Sequence, residues 1–161
     1  MTLEELLAYR PTEEEVFGVD GLLYRKGYGF FVQKRAADRK FLPNCWDVCG
    51  GHVENGESLI EALQREVQEE TGWQLTKARA WIDSYCWEAK DNKIAQAHTF
   101  LIEVDGDLDN PAIEVEKNSE WRWIAEGDLE ILNEGRQLGG QNATFGSILK
   151  GYRWLKVHAE I

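Results

Sequence analysis

Apolar positions recur along this chain with two periods, about 3.6 and about 2 residues, and the switches between them mark its elements. Leu3, Leu6 and Leu7 stand at helical spacing, so residues 2–9 read as a short amphipathic helix stopped by Pro11. Residues 16–23 and 29–34 read as two strands joined by a turn at 25–27, and 36–43 are polar and irregular, hence a loop. Residues 46–49 read as a short strand ahead of the Gly50-Gly51 pair. Ser58 opens the clearest helix, because Glu61 completes a capping box three residues later. Leu59, Leu63 and Val67 supply its apolar stripe, and Gly72 is placed to end it. Further strands are expected at 80–87, 99–104 and 120–124, the last with Trp121 and Trp123 on one face and Arg122 on the other. Phe145, Ile148, Leu149, Tyr152 and Leu155 mark a C-terminal helix that should pack on the sheet. Strands and helices are interspersed, which favours an α/β (α+β) domain, a sheet covered by helices, over a bundle or a β-sandwich.

Within the helix after Ser58, three carboxylates stand out. At about 100° per residue, with Glu66 at zero, Glu69 falls near about −60° and Glu70 near about +40°. The apolar stripe occupies about +20° to +100°, so the three acids border or overlap the buried side. Gln64, Glu61, Gln68 and Arg65 fall on the expected solvent face. A run of acids is usually a solvated face, but like charges at this spacing repel, and desolvation sharpens the cost. Something positive should neutralise them, and an all-oxygen donor set selects Mg²⁺ or Mn²⁺ over Zn²⁺. Gly50-Gly51 and Asn55-Gly56 are expected to bracket a turn that lets backbone approach a ligand closely. Glu57, just before the cap, can point back at the acids, and Arg65 is expected to pair with Glu61 at i−4.

Composition narrows the chemistry. The chain has 161 residues, 43% of them hydrophobic, which is enough for one cored domain spanning 1–161 and argues against disorder. The formal net charge of −11 disfavours stable binding to nucleic acid or to an anionic membrane. No apolar run is long enough for a membrane helix, and Glu4 and Glu5 stand where a signal peptide would be basic. Three cysteines without metal-ligand spacing suit a reduced, cytoplasmic setting. An acidic protein that handles phosphates would need divalent cations between its carboxylates and the substrate.

Gly51, Glu57 and the run Arg65-Glu66-Val67-Gln68-Glu69-Glu70-Thr71-Gly72-Trp73 stand at the spacing of the Nudix box, and the chain resembles that family tightly over residues 51–73. Trp73 is bulkier than the aliphatic residue usual there, and Cys49 replaces a frequent proline; neither is a ligand position. The resemblance implies an α/β/α sandwich with a mixed sheet flanked by helices. It also implies hydrolysis of a diphosphate linkage in a nucleoside di- or triphosphate or a nucleoside-diphosphate conjugate. Glu66, Glu69 and Glu70 would hold Mg²⁺ or Mn²⁺ with help from Glu57 and the Gly51 carbonyl, and Arg65 would orient the glutamates.

The general base is open between Glu66 and the loop acids Glu114, Glu116 and Glu120, with Glu120 also a candidate metal ligand. Lys34, Arg35, Arg39 and Lys40 form a basic cluster that could steer a polyphosphate, and His52 could touch phosphate or serve a loop hydrogen bond. Tyr24, Tyr28 and Phe30 are weighed between stacking on a base and core packing, and His98 is read as a strand residue. Two other classes compete. One is a nucleotide-sensing module without catalysis, which usually has a damaged box or an attached DNA-binding domain. The other is an isopentenyl-diphosphate-isomerase-like enzyme, which needs a cysteine two residues before its His; that position is Gly50, and Cys49 lies one residue too early. A small nucleotide substrate is the expected partner, and a homodimer is compatible with the fold.

Overall fold

A computed structural model describes residues 1–136 and 142–161. The chain runs α1 (Leu3–Ala8), β1 (Val16–Arg25), β2 (Gly29–Arg35), β3 (Trp46–Asp47), β4 (Cys49–His52), α2 (Leu59–Thr71) and β5 (Gln74–Glu88). It continues through β6 (Ile94–Asp105), β7 (Asn118–Ile124), a 3-10 stretch at Glu126–Asn133 and α3 (Ala143–Val157). α1 and α2 both begin on full capping boxes, Thr2 with Glu5 and Ser58 with Glu61. Gly72 ends α2 in the left-handed conformation that the C-terminal stop requires, at φ 76°.

β1 is the pivot of a mixed sheet. It runs parallel to β6 along Val16–Leu23, antiparallel to β4 through Gly18–Gly21, and antiparallel to β2 only at its far end, Tyr24 and Arg25. The sheet therefore splits into two limbs, β4-β1-β6-β5 and β7-β2-β3, joined where β1 turns into β2. One face packs α1 and α2 over Phe17, Val19, Phe31 and Phe100; the other packs α3 and the 3-10 stretch over Leu22, Phe30, Val32 and Leu101. The helices cover both faces, as the sequence pattern predicts.

Two expectations need correction. β5 and β6 are twelve residues or longer and form one extended hairpin, where the alternation alone marked only 80–87 and 99–104. Polar and β-branched residues at their ends, such as Thr76 and Lys77, blur the period without breaking the ladder. Gly50 and Gly51 do not bracket a turn; they lie inside β4, paired with Asp20 and Val19. Their lack of side chains serves close packing, since a Cβ at Gly50 would collide with the Val19 carbonyl and the Asp20 carboxyl.

The β1–β2 turn has one strict requirement. Gly29 sits at φ +109°, and a Cβ there would fall on the Ile124 carbonyl and within 2.8 Å of the Ala125 nitrogen. Gly29→Ala is therefore expected to cost about 2 kcal/mol, a fall in Tm of about 4–8 °C. A thermal melt unchanged from wild type would contradict this packing.

Candidate active site

The site grows from the way α2 is seated. Leu59, Ala62, Leu63 and Val67 are buried against β1, which turns the next flank of the helix toward β4. Glu66 lies on that flank directly over Gly51, where a Cβ would come within 2.6 Å of the Glu66 Cδ and closer still to its Oε1. The glycine is thus required by the carboxylate above it. Any larger residue would push Glu66 off the strand.

Arg65 gathers the neighbouring acids. Its Nε donates to Glu57 Oε1 at 2.7 Å, its Nη1 to Glu66 Oε1 at 2.8 Å and to Glu69 Oε2 at 3.3 Å. Its Nη2 donates to the His52 carbonyl at 3.0 Å and to Glu57 Oε2 at 3.2 Å. Glu57 and Glu66 are 18% and 14% exposed, so this fan is largely shielded, whereas Glu69 at 49% faces outward. Two expectations change here. Arg65 does not lie on the solvent face, and it does not pair with Glu61. Glu61 is held on the other flank by Arg10, at 2.6 and 2.8 Å, while also closing the Ser58 cap.

Glu70 differs from the other three. Its Oε2 accepts from the Gly50 N–H at 3.1 Å and from Gln33 Nε2 at 3.3 Å, and among the described residues no cation pairs with it. Burial, then Glu66, push its carboxyl well above the usual range; Asp47 and Glu114 add to this, and the Gly50 N–H opposes it. Burial also raises Glu66, with Arg65 opposing. Among the described residues no three ligating side chains already converge on a point, because Arg65 draws three glutamates to itself and Glu70 leans on Gly50. The donor set still fits a hard divalent cation. It offers carboxylates and a strand backbone at Gly51, a floor kept open by a missing side chain, and one recessed negative charge lacking a counter-ion.

The remaining candidates divide by sheet face. Arg35 shares the Gln33 side of β2 and feels both Asp47 and Glu70, while its Nε donates to the Phe41 carbonyl. Lys34 points to the other side, over the Trp46 ring, and pairs with Glu120 at 3.6 Å. Glu120 is thus inside β7, in register with Lys34, and faces away from α2. A surface pair is its role, and the expectation that it reaches the active edge fails because Trp121, not Glu120, carries the inward register. Glu120→Gln should leave kcat within about threefold, a surface-pair effect that steady-state assays would resolve from a lost base.

Glu114 is the loop acid nearest the glutamates: it feels Glu70, one of its oxygens is buried without a partner, and it pairs with Lys117 at 3.2 Å. Arg39 reaches the Lys117 carbonyl, and Lys40 is exposed. The His52 carbonyl serves Arg65, and its ring rests against Trp87. Phe30 and Tyr24 pack with Tyr152 in the core, Tyr28 lies under Arg25, and His98 is a buried strand residue beside Phe17. Gln33 and Asp47 were not foreseen. Gln33 had a visible signal, a polar residue two positions from Phe31 on a core-facing register.

A family model of the NUDIX domain matches residues 15–142. An uncharacterized Nudix hydrolase of Nostoc sp. is 34% identical over 109 residues, 65% of this chain and 62% of the relative. The chain thus spans less than two thirds of that relative's length. The nucleoside triphosphatase NudI of Escherichia coli is 31% identical over 106 residues, 62% of this chain and 75% of that protein. A MutT NUDIX hydrolase from Burkholderia pseudomallei shares the fold, with a TM-score of 0.65 at 23% identity over 86% of this chain and 98% of that one. With the family model covering most of its length, this chain belongs to the Nudix family.

Proposed function

We propose that this protein is a pyrophosphohydrolase that cleaves a diphosphate linkage in a nucleoside triphosphate or a nucleoside-diphosphate conjugate, using Mg²⁺ or Mn²⁺. Nudix proteins generally use divalent metals. The observation that carries the reading is the pairing of Glu66 over Gly51 with a recessed, uncompensated Glu70 one helical turn on. Glu57, Glu66, Glu69, Glu70 and the Gly51 carbonyl are the ligand set. When bound, the cation offsets charge growing on the departing phosphate and lowers the pKa of an attacking water.

The chain's own residues do the rest. Arg65 holds Glu57, Glu66 and Glu69 at fixed positions, so the carboxylates need little reorganisation. The Gly50 N–H and Gln33 fix Glu70 from below. Glu66, held over Gly51 by Arg65, is the first candidate base, and Glu114, with one buried unpartnered oxygen, is the second. Arg35, on the same side, supplies positive charge for a phosphate chain. The name of the Escherichia coli relative favours nucleoside triphosphates as the first class to try.

The test is phosphate and pyrophosphate release from a panel of nucleoside triphosphates, sugar nucleotides, ADP-ribose and dinucleoside polyphosphates, with Mg²⁺ and then Mn²⁺. Turnover of one class that stops on chelation supports the proposal. Metal and nucleotide binding without turnover of any class would replace it with a sensing role.

A further inference from the structure

Beside the glutamate site lies a strip of sheet that neither apolar core claims. On the face of β1 and β6 away from α2, the residues are small: Gly18 stands in register with Ala97, and Val16 with Ala95. Gly50 of β4 continues this strip, opposite Asp20. Trp87 pairs with Ala95 across the β5–β6 ladder, yet its Cη2 comes within 3.3 Å of the Cβ position of Gly18. The indole thus spans all of β6 and reaches β1. The Gly51 carbonyl oxygen lies 3.5 Å from the same point, and Ala97 Cβ 3.6 Å. The indole end and the Gly51 carbonyl oxygen thus both approach one point, the Gly18 Cβ position, at strand β4, whose other face carries Glu66.

Two more rings flank it. Tyr85 lies 6.0 Å from Trp87 between centroids, tilted 39°, and His52 lies 6.2 Å away at 63°. Tyr85 is fixed by donating to Asp20 Oδ2 at 2.7 Å. α3 packs on this face through Ser147 and Lys150, both bonded to Asp83, and its apolar cluster takes only Ala80 and Ile82 from β5. Tyr85 and Trp87 belong to neither apolar cluster, and both remain partly exposed. Half-buried aromatics outside the core are what a flat ligand needs, one covered side for support and one open side for contact. Asp20 is held by Tyr85 and Asp83 pairs with Lys150, so these groups offer no free positive charge to a phosphate, and the part of a substrate that fits here is uncharged and aromatic.

We propose that Trp87, supported by Tyr85 and His52, is the platform on which the nucleobase of the substrate stacks, with the phosphates crossing the β4 edge to reach Gly51 and Glu66. This deepens the hydrolase reading and rests on it for the placement of the phosphates. Trp87 is a specificity residue for substrates that carry an aromatic base.

Binding separates the two readings, because it needs no turnover. Nucleoside 5′-monophosphates and base-free ribose 5-phosphate are titrated calorimetrically into wild type, Trp87→Ala and Trp87→Phe at fixed Mg²⁺. Trp87→Ala is expected to weaken the monophosphate about 5- to 150-fold and ribose 5-phosphate less than about threefold, with Trp87→Phe recovering most of the loss. Equal loss for both ligands, or none for either, overturns the platform. Wild type that binds ribose 5-phosphate as tightly as every monophosphate overturns it too. A base-selective loss in a protein that hydrolyses nothing in the panel would uphold the platform while the hydrolase reading fails. Trp87→Phe with a native melt guards against a folding defect in the alanine variant.

Discussion

Glu70→Gln is expected to lower metal-dependent turnover by about a thousandfold while raising the stability of the metal-free protein. Both effects come from one carboxylate. Its Oε2 accepts from Gly50 N–H and Gln33, so an amide oxygen can take over both bonds and the backbone need not move. What the amide removes is a recessed negative charge with no cation beside it among the described residues. A carboxyl raised by the fold costs nothing below its unfolded pKa, and its cost grows as pH climbs through the folded value. The gain from Gln should therefore be absent in acid and increase through the carboxylate range toward neutral pH. At neutral pH the difference should be about 1 kcal/mol, a rise in Tm of about 2–4 °C. Thermal melts at several pH values, with chelator and then with Mg²⁺, check it. Wild type should gain from Mg²⁺ and Glu70→Gln should gain much less. A variant that loses stability at every pH, or keeps full turnover, contradicts the assignment.

Arg65→Ala should be the most damaging change of a residue that touches no substrate. Its guanidinium holds three carboxylates and the His52 carbonyl, and Glu57 is the first cause of its raised pKa. Removal leaves Glu57 and Glu66, both mostly shielded, facing each other without compensation. The expected cost is about 3 kcal/mol, the lower end for breaking a shielded ion pair because the site is partly open to water. Metal affinity should fall about 10- to 100-fold, because the ligands lose their orientation. Arg65→Lys should restore charge but not the forked geometry, and so recover stability better than affinity. Urea melts and Mn²⁺ titration together separate the two losses. Equal recovery of both by Lys would show that charge alone matters.

The helix at Leu59–Thr71 was legible almost to the residue, because capping box, apolar stripe and terminal glycine are local signals that agree. Gly51, Glu57 and Glu66 were legible as a spacing, and the fold supplies the reason, a strand glycine kept bare by the carboxylate above it. Other features depended on tertiary register, which spacing does not encode. Whether Lys34 or Arg35 faces the glutamates is decided by the pairing of β2 with β3 and β7. The same register turns Glu120 outward and Trp121 inward. The partner of Arg65 was misread as Glu61 because Arg10, far off in sequence, arrives to claim that side chain. Trp87 had no signal at all in the sequence, since its role depends on the small residues two strands away.

On this reading α2 and Gly51 together hold a divalent cation. A crystal grown with Mn²⁺, measured at the manganese absorption edge, tests it directly. An anomalous peak is expected at coordination distance, about 2.1 Å, from the Gly51 carbonyl oxygen and from carboxylate oxygens among Glu57, Glu66, Glu69 and Glu70. Arg65 should keep its contact with the His52 carbonyl as those carboxylates turn inward. A peak elsewhere on the acidic surface, with the glutamates still gathered on Arg65 at Mn²⁺ concentrations that saturate turnover, would show that α2 and Gly51 do not hold the cation.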